Sequence, residues 1–498
     1  MIIGSARVTA TSGTVRLGCQ RLRALNTLIS GHSSRHRSRW RRDGHRCRSL
    51  SPASEEIGAV GPPELSRDIG LARSVTPLSL AASIVNSIVG AGIFVVPAAM
   101  AGAAGAHAYL AFLACAIAMG AVVICFAEGG RRVPTSGGPY GYIEAAFGPL
   151  AGAIAGTLLW AGDVLGCGGV LAALATGFAS IVPPEFASVI RATVILGALA
   201  VMVALNIRGA SAGARFVAVA TAVKLLPLLL FIVVGATAVQ AANFTSAAPA
   251  STAGFGRALI LALFTFIGME TALGASGEVK QPRRAIPRAL IAAMLFVSLL
   301  YVGTQLIAQG VLGPALAGSA TPLADAMGRI NPTLRVVLLT GASVSMFAWL
   351  GSDILGSPRF LFALARDGLL PAVLGRIHPR TRAPYVAIIC YAAIAAALAL
   401  SGTFAELAVL TTLTSAALYL GGCAAVWSLT RRNADGAATR PGSLLPIAAV
   451  AGIGSMAVVL ILASWAELAG LGALMAAGAL TYGLRHWLRR SVARESPR

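Results

Sequence analysis

From Thr76 to about Leu484, apolar stretches of spanning length follow one another with only short polar joints between them. A helix of about 20 such residues crosses the hydrocarbon of a bilayer. Lipid offers no partner to a backbone N–H or C=O, so helices that satisfy these groups internally are the expected elements. The rest of the composition agrees. Of 498 residues, 57% are hydrophobic and only 11% charged, against about 25% charged in soluble domains. An ordinary soluble enzyme and a disordered chain are both excluded on these grounds. The seven cysteines are scattered, with no CxxC pair, and read as small buried side chains rather than a disulfide or zinc framework.

The pattern predicts an all-α membrane protein of about twelve spans, near 76–100, 107–129, 148–176, 188–206, 214–240, 255–277, 289–312, 335–358, 385–401, 404–430, 444–463 and 467–484. Only the joint between the second and third is long enough for a partly re-entrant turn, around Pro134–Gly141. Residues 1–70 stand apart as a basic tail. The first 50 hold eleven arginines, no lysine and one acid, Asp43, without an apolar run, so a disordered cytosolic segment is expected there.

The formal net charge of +21 would suggest nucleic acid in a soluble protein. Its distribution points elsewhere. With the N-terminus inside, the inner joints and the basic C-terminal tail (485–498) hold 21 cations. The outer joints hold four: Arg191, Arg257, Arg329 and Arg335. That asymmetry is the inside-positive pattern of a multi-pass plasma (inner) membrane protein with both termini cytoplasmic. Its surroundings are the lipid bilayer, and no nucleic acid partner is implied.

Two spans are interrupted at their middles. The first carries Asn86-Ser87-Ile88-Val89-Gly90-Ala91-Gly92, and the sixth carries Phe264-Thr265-Phe266-Ile267-Gly268-Met269-Glu270. A break at mid-membrane depth leaves N–H groups free on one half and C=O groups free on the other. The N–H end suits a carboxylate and the C=O end an ammonium or metal ion. Close packing of two helices on glycine is the competing explanation for each break taken alone. The breaks lie five spans apart. Because five is odd, a five-helix repeat enters the membrane inverted the second time, and paired breaks of this kind mark the midplane site of a transporter.

The intramembrane charges follow. Lys224 lies about ten residues into the fifth span, roughly 15 Å from either end, too deep to snorkel and therefore a functional candidate. Pro227 frees a nearby carbonyl that can accept from it. Glu270 sits at the second break. Asp163 and Asp353 are also deep; Asp353, six residues before Arg359, borders the inner end, and a pair with Lys224 is one option for it. In the tenth span Thr411, Thr412, Thr414 and Ser415 are expected mainly to bond their own backbone. No phosphate-binding GxxxxGK[ST] loop and no HExxH motif occurs, so no enzyme, cofactor or metal site is expected.

Four stretches carry a family resemblance: Gly90-Ala91-Gly92-Ile93-Phe94; Pro134–Tyr140; Phe266–Glu270 running on to Glu278–Pro287; and Ala365–Pro371. Over residues 70–485 the chain resembles the amino acid–polyamine–organocation family of permeases. The resemblance implies two inverted five-helix repeats (71–240 and 255–430) of the LeuT type, followed by two additional helices within 444–484. It also implies secondary transport of an amino acid, polyamine or related amine by alternating access. On that basis Asn86, Ser87, Gly90, Ala91, Gly92, Phe264, Ile267, Gly268 and Glu270 form the substrate site, with Phe264 as an aromatic gate. Trp160, Phe266 and Trp349 are weaker candidates for such a gate. Lys224, Glu270 and Asp353 are the ion-coupling candidates, Lys224 standing where sodium-coupled relatives hold their ion. Proton symport, exchange and uniport stay open, as do the substrate and the oligomeric state. The rivals are a transporter-like sensor that binds an amino acid without moving it, and a channel.

Overall fold

The computed structural model describes residues 76–133, 138–208, 224–244, 251–273, 279–366, 370–432 and 444–495. The basic tail, Pro134–Ser136 of the expected re-entrant turn, residues 214–223 of the fifth span, Glu278 and Asp367 lie outside them. So does part of the polar joint before the eleventh span.

Many of the helices begin where the sequence supplies a cap or a proline whose missing N–H costs nothing. Helix α1 (Pro77–Ile88) opens on Thr76, whose hydroxyl accepts from Ser79 N–H. After a non-helical gap comes α2 (Gly92–Ala104), which ends at Gly105 with φ +60°. Next are α3 (Ala108–Arg132), the short α4 (Pro139–Phe147), α5 (Pro149–Ala179) and α6 (Ala187–Ile207). Helix α7 (Lys224–Ala238) leads to α8 (Thr252–Phe266), which is capped by Ser251, and to the one-turn α9 (Met269–Leu273). Then come α10 (Pro282–Leu312), α11 (Pro322–Gly328) and α12 (Pro332–Gly356), the last capped by the Asn331 side chain. The chain closes with α13 (Pro358–Arg366), α14 (Tyr385–Ser401), α15 (Phe404–Arg432), α16 (Leu445–Ile461) and α17 (Trp465–Glu495).

Among the described residues, seven helical stretches are long and apolar enough to cross a membrane, by length and composition. Five further apolar helices are shorter: α1, α7, α8, α14 and α16. Two of these, α1 and α8, are the leading parts of the interrupted spans, and α7 starts at the edge of the described residues. The 17-residue α14 and α16 each reach about 25 Å at 1.5 Å per residue. The apolar part of α17 ends at Leu484, but the helix continues to Glu495, past the predicted end of the last span.

The described residues belong to one compact unit. Helix α3 packs along α10, and α5 along α15; α1 lies against α10, and α2 against α8. These contacts put α1, α2, α5, α8 and α15 at the centre of the bundle. The outer faces are apolar. On α10, Ile291, Leu295 and Leu299 are exposed at four-residue spacing, while Leu290, Met294, Val297 and Tyr301 are buried on the opposite side. A helix greasy on its exposed face as well as its buried one belongs in lipid. At the bundle's rim Glu128 is held by Arg131 (2.9 Å) and Arg132 (2.7 Å), which makes it structural.

Candidate functional site

The first interruption spans Val89, Gly90 and Ala91, between α1 and α2. Ending a helix orphans its last four carbonyls, here those of residues 86, 87, 88 and 89. Each finds a donor on a different helix. Lys224 Nζ, from α7, donates to Asn86 O and, at 2.7 Å, to Val89 O. Trp349 Nε1, from α12, donates to Ser87 O at 3.2 Å. Tyr301 OH, from α10, donates to Ile88 O at 3.1 Å. The unwound end is thus tied to three helices, and the Lys224 ammonium, 1% exposed, supplies the positive charge there.

The second interruption lies between α8 and α9. Ile267 is extended, and Gly268 takes φ +129°, open to glycine but strained for other residues. A Cβ on Gly268 would stand 2.5 Å from Ser87 O, so the two breaks meet backbone to backbone. Close approach and positive φ both require glycine at this point. Glu270 turns back onto the break: its Oε2 accepts from Gly268 N–H (3.2 Å) and from Tyr419 OH of α15 (2.6 Å).

A cavity opens where the breaks meet. Ser87, Gly90, Ala91 and Gly92 line one wall, and Phe264, Ile267, Gly268 and Glu270 another. Helix α5 adds Asp163; α12 adds Trp349, Ser352 and Asp353; α15 adds Thr411 and Ser415. The glycines of the first break let neighbouring side chains pack directly on its backbone. A Cβ at Gly90 would meet Trp349 Cδ1 at 2.9 Å, and one at Gly92 would meet Thr265 and Phe264 within 3.3 Å. Helix α2 starts at Gly92, which lines the cavity, without a side-chain cap on its first turn.

Among the described residues lining this cavity, three are carboxylates (Asp163, Glu270 and Asp353) and none is a cation. Ser357 Oγ stands between two of them, 2.6 Å from Asp163 Oδ2 and 3.0 Å from Asp353 Oδ1. A hydroxyl has one proton to give, so it serves one carboxylate at a time. Tyr391 OH, from α14, donates to Asp353 Oδ2 at 2.7 Å.

Of the predicted residues, Ser87, Gly90, Ala91, Gly92, Phe264, Ile267, Gly268, Glu270 and Asp353 come together around the cavity. Asn86 contributes its carbonyl to Lys224 and does not line it. Lys224 lies behind the first break, bonded to α1 carbonyls and not to Asp353, whose partners are Tyr391 and Ser357. Its acceptors come from another helix, whereas the sequence pointed to a local carbonyl freed by Pro227. Phe264 packs edge-on against Phe404, with ring centroids 5.5 Å apart. Thr411, Thr412 and Thr414 bond carbonyls of their own helix, as expected for helical hydroxyls, though Thr411 also faces the cavity.

Tyr301, Tyr391, Tyr419 and Ser357 were missed. The available signal was a phenol in the middle of an apolar helix, since a buried tyrosine hydroxyl needs a partner. Trp349 had been ranked only as a weak gate, and it proves to tie α12 to the first break.

Comparison with known proteins supplies the context. Residues 75–477 match the amino acid permease family. An uncharacterized transporter of Mycobacterium bovis is 33% identical over 324 residues, covering 59% of this chain and 66% of that relative's length. The methylthioribose transporter of Bacillus subtilis is 25% identical over 340 residues, covering 64% of this chain and 73% of the relative. The serine/threonine exchanger of Bacillus subtilis is 29% identical over 336 residues, covering 65% and 75%.

Proposed function

The chain belongs to the amino acid permease family, and from that membership we propose that it is a secondary transporter of an amino acid or related amine working by alternating access. An integral membrane transporter, not an enzyme, is what the family and the apolar helices support. The finer reading is ours: twelve spans, two inverted five-helix repeats, both termini cytoplasmic, and the plasma membrane as location. The one observation that supports the transport reading is the contact between the two breaks, Gly268 against the Ser87 carbonyl, with a cavity opening beside it.

The chemistry of the walls assigns the ends of the substrate. A substrate carboxylate binds the free N–H groups where α2 begins, favoured by the helix dipole. A substrate ammonium binds on the side of Glu270, with Asp163 and Asp353 in the same cavity. Three carboxylates without a lining cation favour substrates that carry positive charge. Lys224 is a fixed or proton-cycling cation that holds the carbonyls an ion would otherwise hold, and Glu270 and Asp353 are the other coupling candidates. When the substrate leaves and the breaks rearrange, these are the groups whose partners change.

The test is uptake of a labelled amino acid and polyamine panel into proteoliposomes, with and without a pH gradient. Saturable uptake stimulated by substrate on the opposite side supports a carrier. Binding without counterflow identifies the sensor instead, and non-saturating flux identifies a channel.

A further inference from the structure

A second cavity lies at the end of the bundle where α6 and α12 finish and α14 begins. It is separate from the substrate cavity and shares no lining residue with it. Its polar lining is Arg359, Arg382, Thr381 and Asn206, and its apolar lining includes Leu355, Phe362, Ile377 and Ile388.

Three features of these groups are unresolved within the protein. Among the described residues neither Arg359 nor Arg382 forms an ion pair, although other arginines at helix ends do. Asn206 is 3% exposed; its amide N–H donates to Met202 O at 2.9 Å, while its Oδ1 has no partner. Thr381 Oγ1 is likewise buried without a partner. A buried acceptor left unpaired costs about 1–3 kcal/mol, so such a group in a cavity awaits a donor. The loop that presents Arg382 is ordered: Arg382 N–H donates to His378 O (2.9 Å), and His378 N–H donates to Ala383 O (2.8 Å).

We propose that this cavity binds the headgroup of an anionic, hydroxyl-bearing phospholipid, of the phosphatidylglycerol type, from the cytoplasmic leaflet. Two guanidinium groups grip the phosphodiester, for which their fork of donors is suited. The unpaired Asn206 Oδ1 accepts from a headgroup hydroxyl, and the Thr381 hydroxyl serves a second oxygen. Ile377, 42% exposed, and the other apolar residues lie where the acyl chains leave toward the bilayer. Basic pockets between spanning helices on the inner face are suited to such headgroups. The placement uses the inside-positive orientation proposed above. It does not depend on what the substrate cavity carries, so a failed transport assay leaves it standing.

The test is lipid binding to the purified full-length protein in detergent, read by native mass spectrometry and thermal shift. The probes are a phosphatidylglycerol, a phosphatidylcholine and a phosphatidic acid of the same chains, and inorganic phosphate. The expected result is preferential binding and stabilisation by phosphatidylglycerol. Binding weakens at least about tenfold in Arg359→Gln/Arg382→Gln, the loss expected for charged hydrogen bonds. Arg376→Gln/Arg380→Gln, which removes the same amount of charge from the loop that carries Arg382 but outside the cavity, keeps wild-type binding. Asn206→Leu retains binding of phosphatidic acid, which lacks the headgroup hydroxyl, and loses the preference for phosphatidylglycerol over it. Equal binding of phosphatidylcholine, equal losses in the two double variants, or equal stabilisation by inorganic phosphate would each overturn the proposal.

Discussion

The two helix breaks do the same geometric job with opposite chemistry. At the first, four freed carbonyls are met by donors from three other helices, and the one full charge among them is the Lys224 ammonium. At the second, the nearby charge is the Glu270 carboxylate, which takes Gly268 N–H and the Tyr419 hydroxyl. The first break is therefore braced by a cation from outside its own span. The second is braced by an anion from within it. The cation points at backbone and is sealed from the cavity, whereas the anion faces it. On that difference we propose that Lys224 holds the first break together, fixed or cycling a proton, and that Glu270 meets what enters the cavity.

The sharpest way to break the comparison is to remove the outside brace. Lys224→Ala orphans the Asn86 and Val89 carbonyls in an apolar interior, each at about 1–3 kcal/mol. Uptake is expected to fall on the order of a hundredfold and pH-dependent uptake to disappear, measured in proteoliposomes. Retained pH-dependent net uptake would remove Lys224 from coupling.

Gly268→Ala tests the contact between the breaks. The new methyl meets Ser87 O at 2.5 Å in a backbone conformation strained for alanine, a penalty of about 1–3 kcal/mol for the dihedral alone. Transport should drop about tenfold or more, with a lower melting temperature in detergent. A variant with wild-type uptake would show that the breaks need not touch.

Glu270→Gln keeps the shape and an acceptor for Tyr419 but removes the charge. Uptake of cationic substrates should fall about tenfold, that of neutral ones less, and the pH profile should flatten. An unchanged pH profile would argue against protonation of Glu270 during transport. The smallest effect is expected from Tyr301→Phe, which deletes a single donor to Ile88 O. It should cost about 1 kcal/mol of stability, with uptake nearly intact. A loss as large as that of Lys224→Ala would mean that the brace acts as one unit.

Much of this arrangement was legible in the sequence because the breaks are local signals. Gly90-Ala91-Gly92 and Gly268 next to Glu270 stand out inside apolar runs, and their spacing relates the two spans. The donors were not legible, because they are tertiary. Lys224 meets Asn86 across 138 residues and Trp349 meets Ser87 across 262, and no periodicity encodes such pairs. The sequence did mark Lys224 as too deep for water, but it suggested a local acceptor near Pro227 where the fold provides the end of α1. Asp163 and Asp353 were each visible as deep acids. Their approach through Ser357 depends on the packing of α5 against α12, which a hydropathy profile does not register.

The central claim is that the cavity between the breaks holds the transported molecule. Its most direct measurement is substrate protection of an introduced thiol, Ser352→Cys, against alkylation in a Cys19→Ser/Cys47→Ser/Cys390→Ser background; Ser352 lines the cavity, and Cys115, Cys125, Cys167 and Cys423 are buried. The account predicts that whichever substrate supports counterflow slows the labelling, with a concentration dependence that matches its transport. Labelling that proceeds at the same rate at saturating substrate would contradict it.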